Sequence, residues 1–327
     1  MDNKNSQNPI RILEKIKEDY LKYYDDAFGL TNKKLQKERR DLLSNNFSLI
    51  APLLIEPIVP YKSGKTIYEL SKEIKKLDYE KVGKLIDEMF FKKNVDSFYP
   101  LYTHQEETLK LIFENKNINP IITTGTGSGK TEAFLVPIFT SLINELNNYK
   151  YSKKNEINRW WEKPGFNYSN MRQDSNRTEA TRVLMLYPTN ALVTDQITRL
   201  RKAIKIHNKP YLKDQFDKCI FFGNYTGNTL STGEVPTSTI SKEWQKKEFS
   251  NTKEKIINWR KALNSMVDDD ENISTYPDPD SGEILSRWDM IKTPPDILVT
   301  NYVMLNVILM RERESNIFES TKKWLQE

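Results

Sequence analysis

The chain has 327 residues, of which 37% are hydrophobic and 29% charged, which excludes a disordered chain and suggests about two domains. Its net charge of +5 comes from 50 basic and 45 acidic residues, a mixed surface that is compatible with nucleic acid but does not indicate it. The single cysteine excludes an internal disulfide framework, and with two histidines it cannot build a structural zinc site unaided. The polar N-terminus and the lack of a long apolar run predict a cytoplasmic protein with no membrane partner.

Residues 1–95 are predicted to form a small helical accessory domain that carries no catalytic group. Apolar residues at helical spacing predict four helices, near residues 10–21, 33–43, 67–77 and 79–91. Three prolines interrupt the apolar segment 51–60. Because proline blocks a helix and removes a donor, we expect this segment to be extended on a surface.

From about residue 99 the pattern changes to strands that alternate with helices, which is typical of a parallel α/β sheet. The first helix of this part opens at Tyr102-Thr103-His104-Gln105. The amide of Gln105 has a donor and an acceptor that match the edge of adenine. A glutamine on a helix is usually a solvated residue, so Gln105 is a candidate because of the motifs that follow it.

The stretch from Thr123 to Glu132 predicts a phosphate-binding loop. Ile121 and Ile122 indicate the end of a short strand before it, and apolar residues at helical spacing follow it. Glycines let backbone N–H groups approach phosphate oxygens, and the helix start adds its positive dipole end. The strict pattern G-x-x-x-x-G-K-[ST] fails at its first glycine, because that position is threonine.

A second Gly-Lys-Thr occurs in Ser63-Gly64-Lys65-Thr66. No glycine precedes it upstream and no clear strand leads into it. We therefore predict that this copy is a surface turn without a phosphate.

Residues 147–182 interrupt the α/β pattern with more basic than acidic side chains around Trp160 and Trp161. Basic residues interleaved with aromatic ones can bind single strands by stacking and phosphate contact. The alternative, which we favour, is a solvated insertion that its two tryptophans anchor on the core.

Three more predicted strands end in small polar residues. Val183–Tyr187 runs into Pro188-Thr189-Asn190, Cys219–Phe222 into residues 223–229, and Ile297–Val299 into Thr300-Asn301-Tyr302. In an open parallel sheet the carboxyl ends of the strands form the edge where ligands bind. We expect the three segments to meet there, with Thr189 and the free N–H groups after it able to hold a nucleic-acid phosphate.

These segments, in this order, resemble the motifs of superfamily 2 DEAD/DEAH-box-type helicases. The resemblance rests on Tyr-Thr-His-Gln, Thr-Gly-Thr-Gly-Ser-Gly-Lys-Thr-Glu, Tyr-Pro-Thr-Asn-Ala-Leu-Val-x-Asp-Gln, Tyr-Thr-Gly-Asn-Thr and Pro-Pro-Asp-Ile-Leu-Val-Thr-Asn-Tyr-x-Met-Leu. With Arg287-Trp288-Asp289-Met290 included, the chain looks most like large bacterial helicases of the DISARM anti-phage (DrmA) type.

The resemblance implies an α/β fold: an incomplete, mostly parallel RecA-like P-loop NTPase domain over residues 96–327, with insertions at about 147–182 and 231–290. It implies an ATP-dependent DNA helicase in which Lys130 and Thr131 are catalytic and Thr131 binds the metal. The residues expected to bind ATP and Mg²⁺ are Tyr102, Gln105, Thr124, Gly125, Thr126, Gly127, Ser128, Gly129, Lys130, Thr131 and Glu132. Those expected to touch nucleic acid are Thr189, Asn190, Gly227, Thr300 and Asn301. The implied partners are DNA, single-stranded or duplex with a tail, the rest of the helicase or a complementing subunit, and other defence-system proteins.

One departure from the family pattern bears on turnover. Such helicases carry an acidic pair on a strand after the Thr300 motif, where it holds Mg²⁺ and activates water. Here the acidic cluster Asp268-Asp269-Asp270-Glu271 follows Asn264-Ser265 and is predicted to be a solvated loop. We expect a truncated fragment, or one piece of a split protein, with uncovered strand edges. The alternatives are a non-catalytic module that binds nucleic acid or a partner, and, less well supported, a kinase on the same loop.

Overall fold

The computed structural model describes residues 8–45, 49, 51, 54, 57, 60–95, 97–115, 118–150, 156–173, 175–236, 240, 242–266 and 273–327. The predicted extended segment 51–60 falls mostly, and the acidic cluster 268–271 wholly, outside these residues. The chain divides into two compact units, Met1–Pro60 and Tyr61–Glu327. The division thus falls before residues 61–95, which we had grouped with the helical N-terminal part.

The described residues of the first unit form two helices, α1 (Pro9–Ala27) and α2 (Lys33–Ser44), as the apolar spacing predicts. Each begins after an asparagine whose side-chain oxygen accepts from backbone N–H groups of the first turn, Asn8 for α1 and Asn32 for α2. The carboxylate of Asp25 joins the two helices by ion pairs with Arg39 and Arg40.

The second unit begins with short helical segments that join the same hydrophobic core as the later helices. The predicted helix 67–77 ends early, as α3 (Ile67–Ser71). The predicted helix 79–91 is a π-helical turn (Tyr79–Gly83), α4 (Lys84–Ile86) and a second π-helical turn (Asp87–Phe91). A two-stranded antiparallel ribbon follows, made of β1 (Lys92–Asn94) and β2 (Ser97–Phe98).

The remaining elements alternate as the sequence predicts. The helices are α5 (Thr103–Glu114), α6 (Lys130–Asn148), α7 (Asn190–Asn208), α8 (Glu243–Ser265), α9 (Arg287–Lys292), α10 (Tyr302–Met310) and α11 (Ser315–Gln326). The strands are β3 (Val183–Tyr187), β4 (Phe222–Tyr225), β5 (Glu283–Ile284) and β6 (Ile297–Asn301). Among the described residues, no helix is long and apolar enough to cross a membrane.

The four strands form one parallel sheet in the order β3-β6-β4-β5. Ile297 and Val299 of β6 join the hydrophobic cluster that contains α6 and α7, whereas Leu298 between them joins the cluster beneath the insertions. This alternation follows from the two-residue period of a strand, so β6 is buried on both faces. The insertions therefore cover one face of the sheet.

Two strand predictions need correction. Ile121 and Ile122 are not in a strand, and Ile121 is 89% exposed, because no described strand lies beside them to complete the hydrogen bonds. The predicted strand 219–222 lies three residues later, as β4, where Phe222 pairs in register with Ile297.

The outer edge of the sheet is β3, whose one neighbour among the described strands is β6. Leu184 and Leu186 on this strand are 46% and 45% exposed. One backbone edge of β3 thus has no ladder partner among the described strands, and part of its apolar face is exposed.

Candidate nucleotide site and nucleic-acid edge

The glycine-rich loop has the backbone geometry of an anion cradle. Gly127 and Gly129 both have positive φ, +73° and +71°, and helix α6 starts at the next residue, Lys130. A Cβ at Gly127 would meet no atom within 4 Å, so space lies over the loop at this point. The helix start supplies free N–H groups and a positive dipole end beside that space. These features fit a phosphate chain, and the hydroxyl of Thr131 in the first turn is available to a metal held by that chain.

Inside the loop, Lys130 folds back on its own backbone. Its Nζ donates to the carbonyl oxygens of Thr124 at 2.5 Å and Gly125 at 3.1 Å. The hydroxyls of Thr124 and Ser128 are 2.6 Å apart and close the base of the loop. A phosphate would therefore compete with two carbonyl oxygens for the ammonium group, and charge favours the phosphate.

Gln105 lies against the loop, as its expected role requires, and both ends of its amide already have a partner there. Its Oε1 accepts from the N–H of Tyr102 at 2.8 Å, which caps the start of α5, and its Nε2 donates to Gly129 O at 2.8 Å. The side chain is 4% exposed. Gln105 thus ties α5 to the phosphate loop, and its buried amide would have to shift, or use its second N–H, to bind adenine.

An aromatic group stands beside the loop, and one member of it was not predicted from the sequence. Tyr61 packs against Tyr102 and His104, at centroid distances of 5.5 and 6.2 Å. Its hydroxyl donates to Thr126 O at 3.4 Å, and a Cβ at Gly125 would meet it at 2.6 Å. Tyr61 lies in the segment that we had assigned to the accessory domain, and no local pattern connects it with residues 125–126.

The three predicted polar segments meet at one edge of the sheet, as expected. Strand register places Tyr187 beside Asn301, and Thr300 beside Tyr225. The side chain of Asn301 caps α10 through Met304 N and donates to Asn190 Oδ1 at 2.6 Å. The starts of α7 and α10 are thereby joined, and each presents its first N–H groups at this edge.

Thr300 has a different role from the one predicted. Its side chain is fully buried, and its hydroxyl donates to Tyr225 O at 2.6 Å. It holds β6 to β4 and has no surface for a nucleic-acid phosphate. Of the other predicted residues of the edge, Thr189, Asn190 and Gly227 are exposed and Asn301 is half-buried.

The loop that contains Gly227 is fixed from the second insertion. Arg287 at the start of α9 donates through Nη2 to Thr226 O at 2.7 Å and Gly227 O at 3.0 Å. Its guanidinium also lies over the ring of Tyr225, and burial lowers the pKa of Arg287. The Arg287-Trp288-Asp289-Met290 segment thus acts on the edge, although its sequence showed no contact of this kind.

A salt bridge connects the phosphate loop with the helix that starts at the edge. Glu132, in the first turn of α6, accepts from Arg199 Nη1 of α7 at 3.0 Å. Arg199 also lies 3.6 Å from Asp195 on its own helix. Glu132 therefore joins α6 to α7, in addition to its predicted role in the nucleotide site.

The tryptophans of the first insertion are core residues, which confirms the interpretation that we favoured. Trp160 and Trp161 are 0% and 2% exposed. Trp160 Nε1 donates to the carboxylate of Asp289 at 3.1 Å, as do Tyr168 OH, Met171 N and Ser286 Oγ. Burial raises the pKa of Asp289 above its ordinary value, and the four donors oppose that rise. The pair offers no face to a nucleic-acid base.

Comparison with known proteins agrees with this geometry. The model of the DEAD/DEAH box helicase family matches residues 102–230, which include the phosphate loop, the start of α7 and the Gly227 loop. The chain is also 26% identical, over 349 aligned positions, to Druantia protein DruE of Escherichia coli (strain UMEA 4076-1). This match covers 96% of the chain but 17% of the relative, so the chain spans about a sixth of that protein's length. The relative is named for Druantia, whereas our finer resemblance was to the DISARM type. Residues 102–230 therefore resemble a DEAD/DEAH box helicase domain, and the parallel α/β sheet agrees with the RecA-like fold that this resemblance implies.

Proposed function

We propose that this chain is the ATP-binding and nucleic-acid-binding part of an ATP-dependent DNA helicase or translocase of an anti-phage defence system. The observation that carries the proposal is the glycine loop of positive φ ahead of Lys130, linked by Gln105 and Glu132 to the helices around it. The likeness to a Druantia protein supports the defence role.

In the nucleotide site, Lys130 leaves the carbonyls of Thr124 and Gly125 and binds the β/γ-phosphates. The hydroxyl of Thr131 is the protein ligand of Mg²⁺, which would supply charge neutralisation at the phosphates. Tyr61 and Tyr102 offer ring surface beside the loop, and Gln105 selects adenine by exchanging its Gly129 contact for the base.

At the sheet edge, Thr189, Asn190 and Asn301 bind the backbone of a DNA strand through hydroxyl, amide and helix-start N–H groups. Gly227 lets the strand approach the loop that Arg287 holds. Thr300 acts from beneath, by fixing the two strands on which these groups stand.

The test is nucleotide affinity, measured by titration of a fluorescent ATP analogue with Mg²⁺. We expect Lys130→Ala to weaken binding at least tenfold, about 1.4 kcal/mol or more, because a charge-assisted phosphate contact is lost. Lys65→Ala, in the other Gly-Lys-Thr, is the matched control and should leave the affinity unchanged. Equal affinities for all three proteins would contradict the proposal.

The binding-only alternative differs in one measurement, ATP hydrolysis by the protein together with the partners or further chain that complete it. DNA-stimulated turnover that Lys130→Ala abolishes would support the helicase. ATP binding without any turnover in the completed protein would support the non-catalytic module.

A further inference from the structure

A second candidate site lies at the far end of α7 from the sheet edge. It is a cavity of about 620 Å³ between the second π-helical turn, the last two turns of α7 and residues 273–281. Along α7, Asn190 and Lys205 are separated by about 22 Å at 1.5 Å per residue, so the cavity is distinct from the edge. Its volume is in the range of small-molecule sites, about 300 to 1,000 Å³.

Four lysines line this cavity: Lys92, Lys202, Lys205 and Lys209. Within the part of the chain that the structure describes, none of the four forms an ion pair. Asp278 interacts electrostatically with Lys205, and Glu88 is the other carboxylate among the described residues of the lining. Among these described groups, four lysines and two carboxylates leave an excess of positive charge in the lining, which an anion would neutralise.

The wall opposite α7 is held in place by a separate ion pair. Arg201 binds both oxygens of Glu283 at 2.8 Å, and its Nη1 donates to the carbonyls of Ser274 and Thr275. Glu283 is 3% exposed and also accepts from Asp278 N. Arg201 thus fixes the shape of the cavity. Because Glu283 neutralises Arg201, the net positive charge of the cavity comes from the lysines.

The surface between the charges is apolar. Met89, Phe90 and Ile206 line it, and Tyr276 contributes a ring that is 38% exposed. A phosphate ion alone would contact the lysines and leave this apolar surface exposed to water. A flat aromatic ring would cover it, and the carboxylates of Glu88 and Asp278 are acceptors for the amino group of a base.

We propose that this cavity binds a nucleoside phosphate, with the phosphate on the lysines of α7 and the base against Tyr276. The source is either a free nucleotide or one residue of a single strand. The site goes beyond the proposed nucleotide site, and a Lys130→Ala background separates the two.

The test uses the Lys130→Ala chain with two labelled probes, AMP and a single-stranded oligonucleotide of about ten nucleotides. We compare Lys202→Ala/Lys205→Ala/Lys209→Ala with Lys247→Ala/Lys255→Ala/Lys261→Ala, which removes the same charge from α8. We expect the first variant to bind at least one probe about tenfold more weakly, and the slope of log affinity against log salt for the oligonucleotide to fall by about 2. The second variant should bind as its parent does.

A direct readout is protection of lysines from acetylation, measured by mass spectrometry. We expect a saturating probe to protect Lys202, Lys205 and Lys209 and to leave Lys255 reactive. Protection by AMP assigns a free nucleotide, and protection by the oligonucleotide alone assigns a strand. Equal loss of affinity in the two triple variants, no protection, or equally tight binding of a polyglutamate peptide would overturn the proposal. Failure here leaves the ATP result for Lys130→Ala untouched.

Discussion

Gly-Lys-Thr occurs at residues 64–66 and again at residues 129–131, and the two copies have unrelated structures. At the first copy, Lys65 pairs with the carboxylate of Glu73, and Thr66 caps the five-residue helix α3. At the second copy, Gly129 has positive φ and Lys130 lies on carbonyl oxygens at the start of a 19-residue helix. A carboxylate already neutralises Lys65, whereas the dipoles that hold Lys130 can be replaced by a phosphate. The backbone before the lysine, and the partner that the lysine finds, distinguish a phosphate loop from a turn.

The largest effect should come from the backbone of the second copy. In Gly129→Ala the new Cβ would lie 2.4 Å from Gln105 Nε2. The alanine would also have to adopt the left-handed backbone conformation that Gly129 has in the loop. We expect the free energy of unfolding to fall by about 1 to 3 kcal/mol, with loss of ATP binding. Chemical denaturation and the ATP titration measure these changes.

Two controls sharpen this prediction. Gly127→Ala has the same backbone strain but open space, so it should cost about 1 kcal/mol. Gly64→Ala should leave ATP affinity unchanged, since Gly64 does not have positive φ and the atom that its new Cβ would crowd, at 2.3 Å, is the end of the flexible Glu106 side chain. A Gly129→Ala protein that binds ATP normally would contradict the assignment.

A smaller loss of stability is expected from removing the hydrogen bond between Gln105 and Gly129, which has no counterpart at the first Gly-Lys-Thr. Gln105→Leu removes the bond to Gly129 O and the cap on Tyr102, and should lower the free energy of unfolding by about 1 to 2 kcal/mol. If the amide also selects adenine, Gln105→Leu should reduce the preference of the protein for ATP over GTP. Equal loss of affinity for both nucleotides would restrict Gln105 to holding the loop.

The smallest effect concerns acid stability at the first copy. Lys110 and then Lys65 lower the pKa of Glu73 to about 2, from an ordinary value of 4.5. A carboxylate with a lowered pKa stabilises the fold above pH 4.5, and this contribution is lost as the pH falls toward 2. Lys65→Ala should therefore lose less stability than the wild type between pH 5 and pH 2.5, by a small margin because Glu73 is solvated. Parallel thermal melts at several pH values measure it, and identical pH profiles would show that the pair contributes nothing.

Sequence patterns predicted the parts of the site that are local. The apolar run 183–187 gave β3 its bounds, and the glycines at 127 and 129 indicated the loop, because each depends on neighbouring residues. Three strand ends at one edge followed from the alternation of strands and helices alone.

Contacts between distant segments could not be predicted in this way. Tyr61 reaches Thr126 across 65 residues, and Arg287 reaches Gly227 across 60. The burial of Thr300 depends on its pairing with Tyr225, and the missing strand at Ile121 depends on neighbours that a local pattern does not contain. Such outcomes are set by tertiary packing and not by propensity.

The carboxylate of Asp289 has a consequence for how this protein can vary. It comes from the later insertion, and three of its four donors come from the earlier one. A chain that lost residues 156–171 would leave the buried carboxylate without those donors. A chain that lost residues 283–290 would leave the buried indole N–H of Trp160 and hydroxyl of Tyr168 without their acceptor. Related chains should therefore carry both insertions or neither, and a natural sequence with only one of them should show a compensating change at the position of Asp289.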